Sequence, residues 1–250
     1  MKKLLLILSV LWLVSCTSPQ DSLNCFQSAG KIIETEMSVA PFTKIIVWER
    51  TQLFISQGET QRVVIETGEN LLDDVELQVI DGELNIFNNN SCNLVRDYGI
   101  TKVYVTSPNI NQIRSSTGLT TQSIGVLRFP ELLLLSEDQD NEDEFHTDGD
   151  FILDLDVQNL RIVANGLSRF YLKGSAERAD FGLFSSDCGI EARDLVIQNL
   201  NIFHRSTDVM VVNPQQSITG RIVSVGNCIS TNRPPIINVE TPYRGELIFE

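Results

Sequence analysis

The chain has 250 residues, with 33 acidic against 19 basic side chains and a formal charge of −14. A surface this acidic repels nucleic-acid phosphates and anionic lipid headgroups alike, which excludes a nucleic-acid partner. At 42% hydrophobic and 21% charged residues, the composition excludes a disordered chain and supplies one large core or two small ones.

Lys2 and Lys3 precede an apolar run over residues 4–14, broken only by Ser9. As a helix this run rises about 16 Å, half a bilayer core, so it predicts an export signal over residues 1–15 and not a membrane span. Leu13-Val14-Ser15-Cys16 resembles a bacterial lipobox, which implies cleavage before Cys16 and lipid attachment to its sulfur. Acyl chains then hold the protein on a membrane without crossing it. The expected location is the cell envelope, as an outer-membrane lipoprotein whose membrane contact is the anchor alone. Cleavage removes 15 residues, Lys2 and Lys3 among them, leaving 235 residues at −16. Residues 16–41 read as the lipidated cysteine and a tether that opens on Thr17-Ser18-Pro19-Gln20-Asp21-Ser22.

Residues 42–250 read as a single all-β domain. Over residues 42–107 apolar side chains recur at every second position: Ile45 and Val47, Leu53 and Ile55, Val63 and Ile65, Val75, Leu77 and Val79, Leu84 and Ile86. Period two puts one face of each strand on a core. Gln57-Gly58, Thr67-Gly68 and Asp81-Gly82 break the runs, and the last is a two-residue hairpin signal. This predicts an N-terminal antiparallel β region packed on whatever follows.

Over residues 108–250 the spacing lengthens and repeats. Ile113, Leu134, Ile162, Leu183, Ile202 and Ile222 form a column, and Ser115, Ser136, Ala164, Ser185, His204 and Ser224 follow it by two. A second column is Leu132, Leu160, Phe181 and Leu200, and a third is Phe170, Ile190, Val209 and Ile229. A unit of about 20 residues cannot bury its apolar face alone, so the repeat predicts a β-solenoid with about 20-residue rungs; an antiparallel sandwich is the alternative. One interval is longer, and residues 137–150 fill it with an acidic loop insertion, the sort of insertion that marks a binding face.

Glu69-Asn70-Leu71-Leu72-Asp73-Asp74-Val75-Glu76-Leu77, Asp81-Gly82-Glu83-Leu84-Asn85-Ile86 and Val103-Tyr104-Val105-Thr106-Ser107-Pro108 resemble the head GIN domain, an adhesin family of cell-envelope proteins common in Bacteroidetes. The resemblance spans residues 42–250 and implies a β-helical solenoid with a Ser-Gly-Ala-Gly-Asp turn in each rung. That turn is degraded here, in Ser116-Thr117-Gly118, Asn165-Gly166-Leu167-Ser168, Ser185-Ser186-Asp187-Cys188-Gly189, His204-Arg205-Ser206-Thr207-Asp208 and Ser224-Val225-Gly226-Asn227-Cys228. Asp208 alone keeps the aspartate.

Four cysteines remain besides Cys16. Cys25 and Cys92 are the candidate disulfide, fastening the tether to the first sheet. Cys188 and Cys228 stand two rungs apart, about 9.6 Å, beyond the roughly 7 Å a disulfide spans, and read as buried thiols. Zinc is not expected, since no close-set Cys or His ligands occur. Asp138, Asp140 and Glu142 match calcium-loop positions one, three and five, but Asp143 stands where the loop needs glycine. No metal and no cofactor is expected. His146 reads as solvated in the acidic loop and His204 as structural.

No nucleotide or nucleophile motif occurs. Three classes of function follow. The first is a non-enzymatic, lipid-anchored binding or adhesion module that presents a solenoid face to a glycan or protein, with Arg169, Arg193, Arg205 and Arg221 as candidate contacts. The second is a polysaccharide-degrading enzyme with Asp154 and Asp156 on one strand face and Asp180, Asp187 and Asp194 on the next rung. The third is a passive envelope scaffold.

Overall fold

The structure is a computed structural model and describes residues 27–90, 97–139 and 144–250. Cys16, Cys25, Cys92, Asp140 and Glu142 lie outside the described residues, so the expected lipid site, the expected disulfide and two of the three calcium candidates are not placed. Among the described residues the chain is all-β: seventeen strands join one strongly curled sheet, beside a single 3-10 turn at Leu72–Asp74. No helix there is long and apolar enough to cross a membrane.

The sheet has two parallel tracks. The first starts with β6 (Glu83–Asn88), β2 (Lys44–Val47), β8 (Gln112–Ser115) and β10 (Glu131–Ser136). It continues through the C-terminal halves of four long strands, β11 (Phe151–Ala164), β12 (Arg169–Leu183), β13 (Gly189–His204) and β14 (Met210–Ile222), and ends on β16 (Ile236–Glu240). The second starts with β7 (Lys102–Ser107), β3 (Gln52–Gln57) and β9 (Thr121–Leu127). It runs through the N-terminal halves of β11–β14 and ends on β15 (Cys228–Ser230) and β17 (Leu247–Phe249). Antiparallel strands close the N-terminal end: β5 (Val75–Ile80) on β6, and β4 (Arg62–Gly68) on β7 with β1 (Ile32–Met37) outside it.

This corrects the expected N-terminal antiparallel region. Only β1, β4 and β5 are antiparallel; β2, β3, β6 and β7 belong to the parallel tracks. Alternation and turn residues identify strands, but they do not say whether the partner is the next strand or one far along the chain. The hairpin signal holds, with Asp81 at φ 50° and Gly82 at φ 76° joining β5 to β6. The segment read as a tether carries β1, whose half-buried Ile33, Thr35 and Met37 alternate with exposed neighbours against β4.

Each track buries one continuous row of side chains. In the first the row is Leu84, Ile45, Ile113, Leu134, Ile162, Phe181, Ile202, all fully or almost fully buried, and then Gly220. In the second it is Val103, Leu53, Thr121, Phe151, Phe170, Ile190, Met210 and Cys228. The predicted columns are right on the strand face and wrong in part on register. Ile162 meets Phe181, not Leu183; Ile202 meets Gly220, not Ile222; Leu160 meets Ala179, not Phe181; and Ile190 meets Met210, not Val209. A slip of two residues keeps every side chain on its face, so alternation alone does not forbid it. The Val209 miss is a slip of one, across the irregular pairing of β13 with β14, and Val209 is exposed where Met210 is buried.

Candidate binding groove

Five successive strands of the first track carry a triplet whose middle residue faces the core and whose outer two face solvent. The triplets are Glu131-Leu132-Leu133, Asn159-Leu160-Arg161, Arg178-Ala179-Asp180, Asn199-Leu200-Asn201 and Ser217-Ile218-Thr219. The middle residues are buried and hold the strands in place. Because parallel strands stack like on like, the outer residues line up in two rows about 4.8 Å apart per step. One row is Glu131, Asn159, Arg178, Asn199, Ser217. The other runs further, through Lys44, Gln112, Leu133, Arg161, Asp180, Asn201 and Thr219. Together they line a groove of ≈ 700 Å³.

Cross-strand hydrogen bonds orient the polar groups. Asn201 Nδ2 donates to Asp180 Oδ1 at 3.0 Å, Thr219 Oγ1 to Asn201 Oδ1 at 3.2 Å, and Ser217 Oγ to Asn199 Oδ1 at 2.9 Å. The cations of the groove are left over. Lys44, Arg161 and Arg178 form no ion pair among the described residues, although most arginines of the chain do. Arg161 sits directly across from Asp180 in register, yet Asp180 is engaged by Asn201. Such a surface can hold a long polar ligand by side-chain hydrogen bonds and by charge.

The four arginines singled out from the sequence do not share a face. Arg169 pairs with Asp208, the one retained turn aspartate, and lies 3.8 Å from Asp187, so this arginine ties together three successive coils. Arg193 pairs with Glu250, and Arg221 with Glu240 at 3.0 Å. Arg205 is exposed in a separate shallow depression with Asp187, Thr207 and Tyr243. The carboxylates spread over four depressions: Asp154 and Asp194 share one, on either side of Lys173, which pairs with Asp154 at 3.1 Å, while Asp156, 3.6 Å from Arg128, Asp180 and Asp187 each line another.

The described part of the acidic loop is bound back onto the body. Glu137 pairs with Arg114 at 2.7 Å, Asp138 accepts from Asn165 at 2.8 Å, and Asp150 accepts the Arg169 amide at 2.9 Å. Phe145 stacks on Trp48 with ring centroids 5.2 Å apart, Trp48 stacks on Phe87 at 5.5 Å, and the Arg114 guanidinium covers Phe145. His146 reaches Glu49 at 2.7 Å. Among the described residues no group of three or more His, Cys, Asp or Glu is arranged to hold a metal ion.

Three side chains read as interior or structural are buried. Cys188 and Cys228 are free and fully buried, and burial pushes their thiols up to about 11 and about 12. His204 is fully buried in register between Leu183 and Ile222, where the predicted column of small residues breaks. Neither ring nitrogen makes a well-formed hydrogen bond among the described residues. Burial pushes its pKa below the usual histidine value, against a smaller opposing pull from the nearby Asn227 and Asp208.

The groove itself escaped the sequence reading. Its signal was present: the residues flanking Leu132, Leu160 and Leu200 are polar in nearly every case. The register slip placed Phe181 in that column, and Phe181 is flanked by Asp180 and Gly182, which hid Arg178 and the pattern with it.

The crystal structure of a "putative adhesin" from Bacteroides fragilis NCTC 9343 matches with a TM-score of 0.77 at 19% identity, over 90% of this chain and 100% of that one. A "putative adhesin" from Parabacteroides distasonis ATCC 8503 matches at 0.60 and 14% identity, over 89% and 99%. A "putative lipid binding protein" from the same organism matches at 0.58 and 14%, over 88% and 97%. These likenesses are of fold. No curated protein matches the chain. Residues 41–234 match the family model described as "Putative auto-transporter adhesin, head GIN domain", and the chain belongs to that family.

Proposed function

We propose that this protein is a cell-envelope binding or adhesion module, non-enzymatic, that holds an extended partner against the stacked strands of its first track. We read the stack as a β-solenoid with coils of about 20 residues, supported by the register offsets of 19, 21 and 18 residues that carry Ile162 to Phe181, Ile202 and Gly220. The lipobox-like Cys16 supplies the anchor in this reading, with residues after it as the leash.

One observation carries the reading: two rows of solvent-facing side chains, all polar except Leu133, cross at least five consecutive strands and line one groove. Inside it the strands of the first track are paired on both sides, so the backbone offers a ligand almost nothing and recognition falls to side chains. A glycan, which carries hydroxyls along its length, suits such a surface. A polypeptide laid across it would leave much of its own backbone unpaired. Catalysis has little support, because the one candidate pair that shares a depression, Asp154 and Asp194, has Lys173 between its members, and Asp156 already faces Arg128.

The test is a panel of immobilised polysaccharides and envelope proteins, scored for retention and for breakdown. Retention without breakdown is expected, and substituting Asn199→Ala with Asn201→Ala should abolish it. Release of reducing ends, lost in a D154N/D156N variant, would replace this reading with a glycan-active enzyme. Neither retention nor breakdown across the panel would leave a passive scaffold.

A further inference from the structure

The groove has a charge pattern that narrows its ligand. On a body of net charge −14, it gathers Lys44, Arg161 and Arg178, none of them ion-paired among the described residues, while Arg62, Arg114, Arg169, Arg193 and Arg221 elsewhere are each tied to a carboxylate. More than half of the described arginines are ion-paired, and three cations without such a partner share one concavity with only two acids, Glu131 and Asp180, an excess of positive charge that calls for an anion from outside. Arg161 and Arg178 lie in opposite rows on neighbouring strands, about 8 Å apart by strand geometry. Lys44 lies four strands from Arg178 by register, about 19 Å. One small anion cannot reach all three of these groups. A chain of acidic units reaches all three.

Resting on the binding-module reading above, we propose that the groove takes an extended acidic glycan, its acid groups met by Lys44, Arg161 and Arg178 and its hydroxyls by Gln112, Asn159, Asn199 and Asn201. The guanidinium forks donate two parallel hydrogen bonds to a carboxylate, which a lysine ammonium does not reproduce. Between the two cation-bearing ends the amides fix the register of the sugar units. The floor holds Leu132, Leu160 and Leu200 and no aromatic ring, so affinity comes from repeated polar contacts along the length and grows with the number of units.

The test uses the intact protein with oligogalacturonates of one, three and six units, the methyl-esterified hexamer, a sulfated glucan oligomer and poly-glutamate of similar length, measured by calorimetry at two salt concentrations. The hexamer should bind saturably and weaken with salt, and the monomer should be undetectable beside it. Arg161→Gln and Arg178→Gln should each weaken the hexamer roughly tenfold, the loss of one charge-assisted contact. Lysine at both positions should restore part of the affinity. Binding of the sulfated oligomer at the same site broadens the acid group but keeps the class. Equal binding of the methyl ester, or an affinity untouched by both glutamines, overturns this proposal and leaves the glycan-binding module intact. Poly-glutamate bound as tightly as the hexamer overturns it in favour of an acidic protein. If no glycan binds, charged or neutral, the broader reading fails as well.

Discussion

Removing the Phe170 ring tests the coil-to-coil register through energy alone. Phe170 is fully buried and stacks on Phe151, with ring centroids 4.7 Å apart and planes 7° from parallel. On its other side its register partner is Ile190. Truncating a buried Phe to Ala costs about 3–5 kcal/mol, and roughly 0.5–1.5 kcal/mol of that belongs to a stacked ring pair beyond its buried area. F170A and F151A should therefore each lower stability by about 3–5 kcal/mol, and the double variant should fall short of the sum by about 0.5–1.5 kcal/mol. The assay is equilibrium unfolding in urea, followed by circular dichroism and by tryptophan fluorescence. Two probes are needed because stacked coils can open in parts, and Trp48 reports the N-terminal end only. Losses under about 1.5 kcal/mol together with strict additivity would mean the rings are not neighbours and that β11 and β12 pair otherwise.

Further outcomes follow from the same register. Gly220 has φ 124°, and a Cβ there would sit 1.9 Å from the Ile202 carbonyl oxygen, whereas Gly82 at φ 76° has open space around it. G82A should cost about 1–2 kcal/mol from its backbone alone, and G220A clearly more, read as denaturation midpoints; equal effects would contradict the close approach of β13 and β14. Cys188 and Cys228 should resist thiol reagents at pH 8 until the protein unfolds, as mapped by mass spectrometry, because burial keeps both protonated. The lowered pKa of His204 makes stability fall with acid. The unfolded state binds a proton near pH 6.5 that the folded state takes up only at lower pH, so the contribution is full above 6.5. It declines by up to about 1.4 kcal/mol per pH unit below that. H204F should flatten this part of the stability profile, and an unchanged slope would show that other groups set it.

Much of the fold was legible because burial on one face leaves a period of two in the sequence. Ile45 and Val47, Leu53 and Ile55, and Leu84 and Ile86 identified β2, β3 and β6 outright. Partner choice was not legible. β2 lies between β6 and β8, although β3, β4 and β5 intervene before β6 in the chain, and no local feature of Lys44–Val47 encodes that. Register was legible only modulo two, since Phe181 and Leu183 share a face and both are apolar. The bulged pairings of β13 with β14 then shift the count, so equal sequence intervals stop meaning equal height. The candidate site suffered from the same cause. Arg169, Arg193, Arg205 and Arg221 were grouped by approximate spacing, and the structure spends three of them on ion pairs. Arg161 and Arg178 stand in different rows on neighbouring strands, and they become a pair only once the coils are stacked.

If the groove on the first track does the binding, its ligand meets the two rows and no other face. Backbone amide shifts of the isotopically labelled protein, titrated with the galacturonate hexamer, test it residue by residue. Changes should be confined to the two rows, at Gln112, Asn159, Arg161, Arg178, Asp180, Asn199, Asn201 and Thr219. Changes centred on Arg205 and Tyr243, or around Trp48 and Phe145, with these rows silent, would contradict it.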